Sequence, residues 1–280
     1  MQIVEKRNWF YILSLLLLIP SIVSLFMQGL NQGIDFKGGS IIYLRISDEA
    51  TVAGVTEVVD ELQIGRAEIQ QSGDEFYIRT IELNQNESDS LLSTLKDKYS
   101  QVEFLSAESV GASIGKELTR NAILAIIVAA ILMLIYITFR FEWTFGVAAV
   151  FAIIHNVLVV LGVFSIMRWE VNSAFIAAVL TVIGFSINDT IVIFDRIREN
   201  MRVKRRENYD ILVNTSVTQT INRSINTVLV ASFPLAALIF FGGESVKYFA
   251  TAMLIGFVVG AYTSIFIASP LWYELKTRIT

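Results

Sequence analysis

Six long apolar runs dominate this sequence and decide its class before any other feature. A helix needs about 20 apolar residues to cross the hydrocarbon core of a bilayer. The runs that meet this length cover residues 9–27, 122–139, 145–167, 173–194, 225–241 and 249–272. Charged residues make up only 17% of the chain, below the roughly 25% usual in soluble domains. The sequence therefore predicts an α-helical membrane protein with six transmembrane helices.

Lysine and arginine in the short loops predict which side of the membrane each loop faces. Six basic residues lie between positions 196 and 222, namely Arg196, Arg198, Arg202, Lys204, Arg205 and Arg206. The opposite short loops carry only Arg168 and Lys247. We therefore expect both termini and a basic loop 196–222 in the cytoplasm. Four tryptophans near the span ends are expected to act as interfacial anchors: Trp9, Trp143, Trp169 and Trp272.

These assignments divide the chain into three parts. Residues 1–28 form the cytoplasmic N-terminus and the first span, residues 29–119 form an extracytoplasmic domain, and residues 120–280 form spans two to six. The middle part carries 16 acidic and 7 basic residues, which argues against nucleic acid as a partner.

Alternating and helical patterns predict an α+β domain within residues 29–119. Strands are expected at 40–46, 66–70, 75–81 and 102–107, with helices at 51–62 and 88–99. The order β-α-β-β-α-β is that of a ferredoxin-like sandwich. Because this segment has no histidine and no nucleophile with an evident base, we expect a binding or scaffold domain rather than an enzyme.

Cysteine is absent and His155 is the single histidine. Disulfides, thiolate metal sites and histidine-rich metal centres are therefore excluded from this chain alone, and we expect no cofactor. His155 lies midway along the third span. Such a residue is either an interhelical hydrogen-bonding group or part of a proton relay.

Two glycine-rich strings flank the predicted domain. The first contains Gly33, Asp35, Gly38 and Gly39, and the second contains Gly111 and Gly115. Glycine allows tight backbone conformations that other residues resist. Each string is therefore either a plain juxtamembrane linker or a hinge that transmits motion of the spans to the domain.

Asp189 is the most unusual residue of the spans. It lies seven residues before Arg196, which places it about 10 Å inside the membrane at 1.5 Å per residue. A carboxylate there is costly, so it is either functional or part of a structural ion pair. Counting from the outer ends of both helices, Arg223 differs from it in depth by only about 3 Å. We predict that Asp189 and Arg223 pair, and that Gln219 and Thr227, on the same helix face as Arg223, line a polar interior.

Four strings of this sequence together resemble the SecF family of bacterial protein-export membrane proteins. They are residues 33–39, 109–118 and 184–200, and the Asn222-Arg223 start of the fifth span. The resemblance covers nearly the whole chain and its span count. Two positions depart from it: Ala112, where the family often has proline, and Asn156, where some members carry an acid. Family members belong to the resistance-nodulation-division superfamily, so the chain resembles one six-span half of such a bundle.

The resemblance implies a function that the residues alone do not give. The chain would work with SecD beside the SecYEG channel, with YajC as a further candidate partner, in the lipids of the bacterial cytoplasmic (inner) membrane. It would use the proton gradient to pull or hold preproteins on the outer side. Asp189 would be the protonatable carboxylate and Arg223 its cation. Asn188, Thr190 and Asn222 would shape the polar path, supported by Gln219, Thr227 and His155.

Two other functions remain open at this point. The chain is alternatively a scaffold that tethers an acidic domain to the channel, with Asp189 and Arg223 as a structural pair. The second alternative is a half-transporter for small molecules or lipids, although roughly 90 residues outside the membrane leave little room for a substrate pocket.

Overall fold

The computed structural model of the chain describes residues 1–46, 50–64, 67–204 and 207–279. Two compact units are present, one formed by Met1–Asn31 with Leu124–Thr280 and the other by Gln32–Ile123. The elements follow in the order α1 (Arg7–Gln28), β1 (Asn31–Gln32), α2 (Ile34–Lys37), β2 (Gly39–Ile46), α3 (Val52–Glu61), β3 (Glu68–Ser72), β4 (Glu75–Thr80), α4 (Gln85–Lys98), β5 (Val102–Val110), α5 (Ala112–Arg140), α6 (Trp143–Met167), β6 (Glu170–Val171), α7 (Ser173–Val203), α8 (Tyr209–Phe241), α9 (Glu244–Thr263), a π-helix (Ser264–Ala268) and α10 (Ser269–Ile279).

Within these described ranges, six helices are long and apolar enough to cross a membrane, as predicted. They are α1, α5, α6, α7, α8 and one continuous span formed by α9, the π-helix and α10. The predicted loop 196–222 is wrong, because α7 continues to Val203 and α8 begins at Tyr209. Arg205 and Arg206 lie outside the described residues.

Polar contacts explain why these helices extend beyond their apolar runs. Asn200 on α7 donates from Nδ2 to Ser216 Oγ on α8 at 2.8 Å. The side-chain oxygen of Asn214 accepts from the backbone N–H of Ile3 at 2.8 Å and of Val4 at 3.1 Å. A hydropathy pattern detects only the apolar part of a helix. The polar ends of α7 and α8 lie outside that part, where hydrogen bonds such as these stabilise them.

Small residues bring the first span against its neighbour. The buried residues of α1 are Ser14, Ser21 and Ser24. Ser21 lies against Gly162 of α6 so closely that a Cβ at residue 162 would overlap it. One turn further on, Ser24 Oγ is 2.7 Å from Ser165 Oγ. Helices in lipid associate mainly through such close packing and polar contacts.

Trp272 is not the interfacial anchor that the sequence predicts. Its side chain is fully buried and stacks on Phe145 of α6, with ring centroids 4.6 Å apart. Trp9 and Trp143 are exposed at span ends, as an anchor requires. The difference arises because α10 packs between α6 and α8, where Trp272 contacts Phe145 on one side and Tyr209 on the other.

The second unit is an antiparallel sheet with two helices. Its strand order is β3-β4-β2-β5, and each neighbouring pair is antiparallel. Side chains from β2 and β4 meet α3 and α4 in one core that includes Ile42, Leu44, Phe76, Ile78, Val55, Val58, Leu91 and Leu95. The helix α4 begins at a capping box between Asn84 and Glu87, three residues before the predicted start. Arg66, in the predicted second strand, lies outside the described residues.

Candidate functional site

Asp189 lies on α7, half-buried among the spans of the first unit. Its Oδ1 accepts a hydrogen bond of 2.5 Å from the hydroxyl of Ser224 on α8. Its Oδ2 is buried and has no hydrogen-bond partner among the described residues. A buried carboxylate oxygen without a partner is costly when ionised, which makes Asp189 the candidate functional residue of this bundle.

The predicted ion pair between Asp189 and Arg223 is not formed in this structure. The residue of α8 that meets Asp189 is the next one, Ser224, because each step along a helix turns the side chain by about 100°. The guanidinium of Arg223 is close enough for a Coulombic interaction with Asp189 but points away from the buried face. The depth count therefore predicted correctly that this turn of α8 lies beside Asp189, but it named the wrong residue of α8 as the contact.

A connected set of hydroxyl and amide groups surrounds the same turn of α7. Thr190 donates to the carbonyl of Ser186 at 3.0 Å, and its Oγ1 is 2.8 Å from Ser264 Oγ. Asn156 of α6 donates to the Ser186 hydroxyl and accepts from Thr263 Oγ1 at 2.7 Å. These five side chains are buried. Their hydrogen bonds join α6, α7 and the last span at the level of Asp189.

The π-helix Ser264–Ala268 interrupts the last span beside this cluster. Ser264 Oγ reaches the carbonyl of Ser186 on α7 at 3.3 Å, and Ser269 Oγ donates to the carbonyl of Ser264 at 2.9 Å. A single π-helical turn inside an α-helix is rare and occurs often at functional sites. Here it places a hydroxyl opposite Thr190 without breaking the span.

Gly256 and Gly260 bring α9 against α7. A Cβ at residue 256 would overlap the side chain of Val182. At residue 260 it would lie 3.3 Å from Ser186 Cβ and 3.4 Å from Asn156 Nδ2. The two glycines are four residues apart, a small-xxx-small spacing that lets helices approach closely, and they leave room for the Asn156–Ser186 hydrogen bond.

Arg223 lines an open, polar cleft between α7 and α8. The cleft is bordered by Val192, Asp195, Arg196, Glu199, Gln219, Thr220 and Arg223. Arg196 Nε donates to Gln219 Oε1 at 2.6 Å, and its Nη1 donates to Glu199 Oε2 at 2.6 Å. Gln219 and Arg223 therefore do share a polar face, as their spacing predicts, and that face is open rather than interior.

The remaining predicted polar residues fall into two groups. Asn188, Asn222 and Thr227 are exposed on the outer faces of α7 and α8. Thr227 Oγ1 donates to the Arg223 carbonyl at 2.8 Å. His155 is buried beside Tyr262, with ring centroids 6.3 Å apart, and neither ring nitrogen has a hydrogen-bond partner among the described residues. His155 thus lies at the edge of the hydroxyl cluster, next to Asn156, which belongs to that cluster.

The glycine strings are tightly packed in the second unit. Gly39 has φ of +136°, and a Cβ there would lie 2.5 Å from the carbonyl oxygen of Thr80. At Gly38 it would lie 2.8 Å from Ala112 Cα, and at Gly115 it would lie 2.9 Å from the carbonyl oxygen of Phe36. Of the rest, Gly33 precedes α2, Asp35 lies in its first turn and Gly111 separates β5 from α5. Close approach of backbone explains the need for glycine at 38, 39 and 115; the hinge role stays a prediction.

Sequence reasoning missed Ser186, Ser224, Thr263 and Ser264. Serine and threonine are common in membrane helices, where they usually donate to their own backbone, so their presence alone carries little information. One usable signal was spacing, since Ser186 and Thr190 lie three residues before and one after Asp189. The contribution of Ser264 depends on the π-helix, for which Pro270 is a local signal, because a proline inside a helix removes a backbone N–H and distorts the preceding turn.

Six candidate spans, with a carboxylate hydrogen-bonded to a hydroxyl between two of them, define a multi-pass membrane protein with a polar cluster inside its helical bundle. Comparison with known families refines this class. A family model described as protein export membrane protein SecD/SecF, C-terminal, matches residues 90–278, and the SecD/SecF GG motif matches residues 23–50. The chain belongs to the SecF family of protein translocase subunits of the bacterial membrane.

Individual relatives resemble the chain along its whole length. Protein translocase subunit SecF of Acidaminococcus fermentans is 40% identical over 287 residues, which cover 99% of this chain and 98% of that protein. The SecF subunit of Sebaldella termitidis is 38% identical over 283 residues, with 99% and 92% covered. The crystal structure of SecDF, a translocon-associated membrane protein from Thermus thermophilus, is 36% identical with a TM-score of 0.92. The match covers 99% of this chain and 39% of that longer SecDF chain.

Proposed function

We propose that this chain is the SecF-type half of a SecDF translocase that uses the proton gradient to promote preprotein movement across the cytoplasmic membrane. The observation that carries the proposal is the environment of Asp189. One oxygen of its carboxylate is held by Ser224, and the other is buried with no hydrogen-bond partner in the part of the chain that the structure describes. An ionisable residue in a span is by default a candidate functional group, and Oδ2 of Asp189 is free to bind a proton.

Coupling follows from the position of Arg223. Its guanidinium lies within Coulombic range of Asp189 and takes part in no hydrogen bond among the described residues. Ionised Asp189 attracts this cation across the α7–α8 contact, and protonation cancels the attraction. A membrane potential of 100 mV supplies about 2.3 kcal/mol per charge moved. This biases a conformational equilibrium about fiftyfold at roughly 1.4 kcal/mol per decade.

Exposed polar side chains in the spans support a partner half. Asn188 on α7 and Asn222, Arg223 and Asn226 on α8 are exposed in the chain by itself. Lipid cannot hydrogen-bond such groups, so protein or water must cover them in the membrane. We assign SecD as the covering partner, with SecYEG, YajC and bilayer lipids as further neighbours.

The sidedness and fold of the second unit belong to the same proposal. Its element order and its strand order β3-β4-β2-β5 support a ferredoxin-like fold. Its acidic composition and the six basic residues of segment 196–222 support an extracytoplasmic location, with both termini in the cytoplasm. There it would hold emerging preprotein and act without a cofactor or a catalytic site of its own.

Asp189→Asn tests the coupling. The SecDF complex is reconstituted with SecYEG and the ATPase that drives it, and export is measured with and without an imposed proton gradient. We expect Asp189→Asn to lose the gradient-dependent part of export and to keep the ATP-driven part. Asp195→Asn is the matched control, since Asp195 forms its ion pairs with Arg198 at 3.1 Å and Arg140 at 3.7 Å near the end of the apolar run.

Two outcomes would separate this function from a scaffold. If Asp189→Asn retains gradient-dependent export, proton coupling through this residue is wrong. If the variant no longer copurifies with SecD, the carboxylate serves assembly, and the scaffold alternative gains support. Retained copurification with loss of the gradient effect is the expected result.

A further inference from the structure

We infer that Ser224 is the positioning residue for Asp189: its hydroxyl holds Oδ1 as a hydrogen-bond acceptor, so that Oδ2 is the atom that gains and loses the proton. The inference deepens the proposed function and rests on it. It assigns different roles to two oxygens that a sequence cannot distinguish. It also means that the group of α8 that orients the Asp189 carboxylate is the Ser224 hydroxyl and not the Arg223 guanidinium.

The direction of the Ser224 hydroxyl is the first argument. Five other hydroxyl side chains of α8 donate to the carbonyl four residues earlier on their own helix. They are Ser216, Thr218, Thr220, Thr227 and Ser232. Ser224 instead donates across to α7. A membrane serine that gives up the local bond needs a stronger acceptor, and a carboxylate is one.

Burial is the second argument. Ser224 is 1% exposed, so water does not compete for its hydroxyl. An ionised carboxylate accepts and cannot donate, so the serine must be the donor in the ionised state. After protonation at Oδ2, Oδ1 becomes the carbonyl oxygen and still accepts the same bond. Ser224 therefore keeps one geometry in both states while the proton exchanges at the other oxygen.

The neighbouring hydroxyl groups leave Oδ2 as the open position. Thr190 hydrogen-bonds to the Ser186 carbonyl and to Ser264. Ser264 lies close enough to interact with the Asp189 carboxylate, but its hydroxyl is engaged by Thr190 and the Ser186 carbonyl. Oδ2 has no hydrogen-bond partner among the described residues. The proton that binds there comes from water on one side of the membrane and leaves to water on the other. One O–H bond forms and later breaks, and no other reactant is needed.

Few titratable groups on the packed helices could substitute for this role. Arg223 on α8 interacts with Asp189 through its charge. The titratable residue of α6 is His155, and α9 contributes Tyr262 near the same level. His155 and Tyr262 contact each other, and Tyr262 Oη is taken up by Ser14 and the carbonyl of Phe10. Within the described part of the bundle, Asp189 is thus the one carboxylate with a hydroxyl donor from a neighbouring span.

Infrared difference spectroscopy of the reconstituted complex tests the atomic assignment. The carbonyl stretch of protonated Asp189 is identified as the band that Asp189→Asn removes. Because Ser224 donates to the carbonyl oxygen in our assignment, we expect Ser224→Ala to shift this band to higher wavenumber. Ser232→Ala removes a hydroxyl from the same helix that bonds only to Val228, so we expect no shift. An unshifted band in Ser224→Ala would overturn the inference.

The pH dependence of gradient-driven export provides an independent readout. Loss of a donor to the ionised carboxylate favours the protonated form, so we expect the profile of Ser224→Ala to move to higher pH by roughly one unit, a tenfold change in proton affinity. Ser224→Thr keeps the hydroxyl and should restore the native profile. A purely structural role would lower the amount of complex without moving the profile, and that result would overturn the inference.

Different results would contradict the proposed function and the role of Ser224. If Asp189→Asn still exports in response to the gradient, the proposed function itself is wrong. If Asp189→Asn abolishes the response while Ser224→Ala changes neither the infrared band nor the pH profile, only the role of Ser224 is wrong.

Discussion

Gly260 on α9 faces Ser186 on α7 at a distance that leaves little space for a side chain. A Cβ at residue 260 would lie 3.2 Å from Ser186 Oγ, closer than ordinary van der Waals contact. Ser186 in turn receives the Asn156 amide and lies one turn from Thr190. The close approach of these two helices therefore decides whether the hydroxyl cluster next to Asp189 can form.

Gly256→Val should destabilise the bundle strongly. A Cβ at residue 256 already overlaps Val182, and two further methyl groups would push α9 away from α7. Overpacking of this kind costs about 1–3 kcal/mol. We expect a lower thermal midpoint for the purified chain in detergent. Gly184→Ala is the matched control, because nothing lies within 4 Å of a Cβ at that helical position; an equal loss in both variants would contradict the packing argument.

The sequence was sufficient to predict the number of spans and the depth of Asp189 in the membrane, but not the residue that hydrogen-bonds to it. Span count depends on apolar length, and the depth of Asp189 depends on a simple rise per residue, so both could be read from position. The choice between Arg223 and Ser224 depends on the rotation of α8 about its axis. That rotation is set by packing along its whole length, including the part before residue 225 that hydropathy assigned to a loop.

The π-helix illustrates a second kind of limit. Ser264–Ala268 departs from α-helical hydrogen bonding where Ser264 meets Thr190 and Ser269 bonds back to Ser264. Its local sequence, Ser-Ile-Phe-Ile-Ala, is an ordinary apolar run. Pro270 follows two residues later and cannot donate to the carbonyl of Phe266, so the sequence does mark this turn as distorted. The contact of Ser264 with Thr190 depends on packing between helices, which one segment does not reveal.

Gly115→Ala should disturb the packing of the second unit. The new Cβ would lie 2.9 Å from the Phe36 carbonyl oxygen and 3.1 Å from the Gly38 nitrogen, and backbone atoms cannot rotate away. We expect faster hydrogen exchange at the start of β2 and of α5 in the variant. Gly73→Asn is a suitable control, since Gly73 has φ of +65° with open space around it and asparagine tolerates that conformation. Unchanged exchange in Gly115→Ala would instead favour a loose hinge.

The Glu57–Lys98 ion pair should stabilise the second unit slightly near neutral pH, and this stabilisation should be lost at low and at high pH. Lys98 Nζ lies 2.7 Å from Glu57 Oε2 and joins α3 to α4. The hydrogen bond from Lys98 lowers the pKa of Glu57, and the same bond raises the pKa of Lys98. The contribution of Glu57 is therefore complete above its unfolded pKa of about 4.3 and is lost as pH falls through the lower folded value.

At alkaline pH the contribution of Lys98 to stability changes in the opposite direction from that of Glu57. The stabilisation from Lys98 is complete below its unfolded pKa of about 10.4 and is lost as pH rises through the higher folded value. We expect a double-mutant cycle with Glu57→Gln and Lys98→Met to give a small favourable coupling at pH 7, since both side chains are exposed and screened. Hydrogen exchange of α3 and α4 amides measures it. The coupling should vanish in molar salt, and a salt-independent value would contradict an exposed ion pair.

Asn156→Leu should weaken the bundle without abolishing proton coupling. The amide of Asn156 satisfies Ser186 and Thr263 at once, and all three side chains are buried. Its loss leaves two buried hydroxyl groups with fewer partners, at a cost of about 1–3 kcal/mol for each group left unsatisfied. Because Asp189 bonds to Ser224 and not to this amide, its protonation should persist. We expect a lower thermal midpoint, with gradient-dependent export per assembled complex close to native. Loss of the gradient response at normal assembly would place Asn156 on the proton path itself.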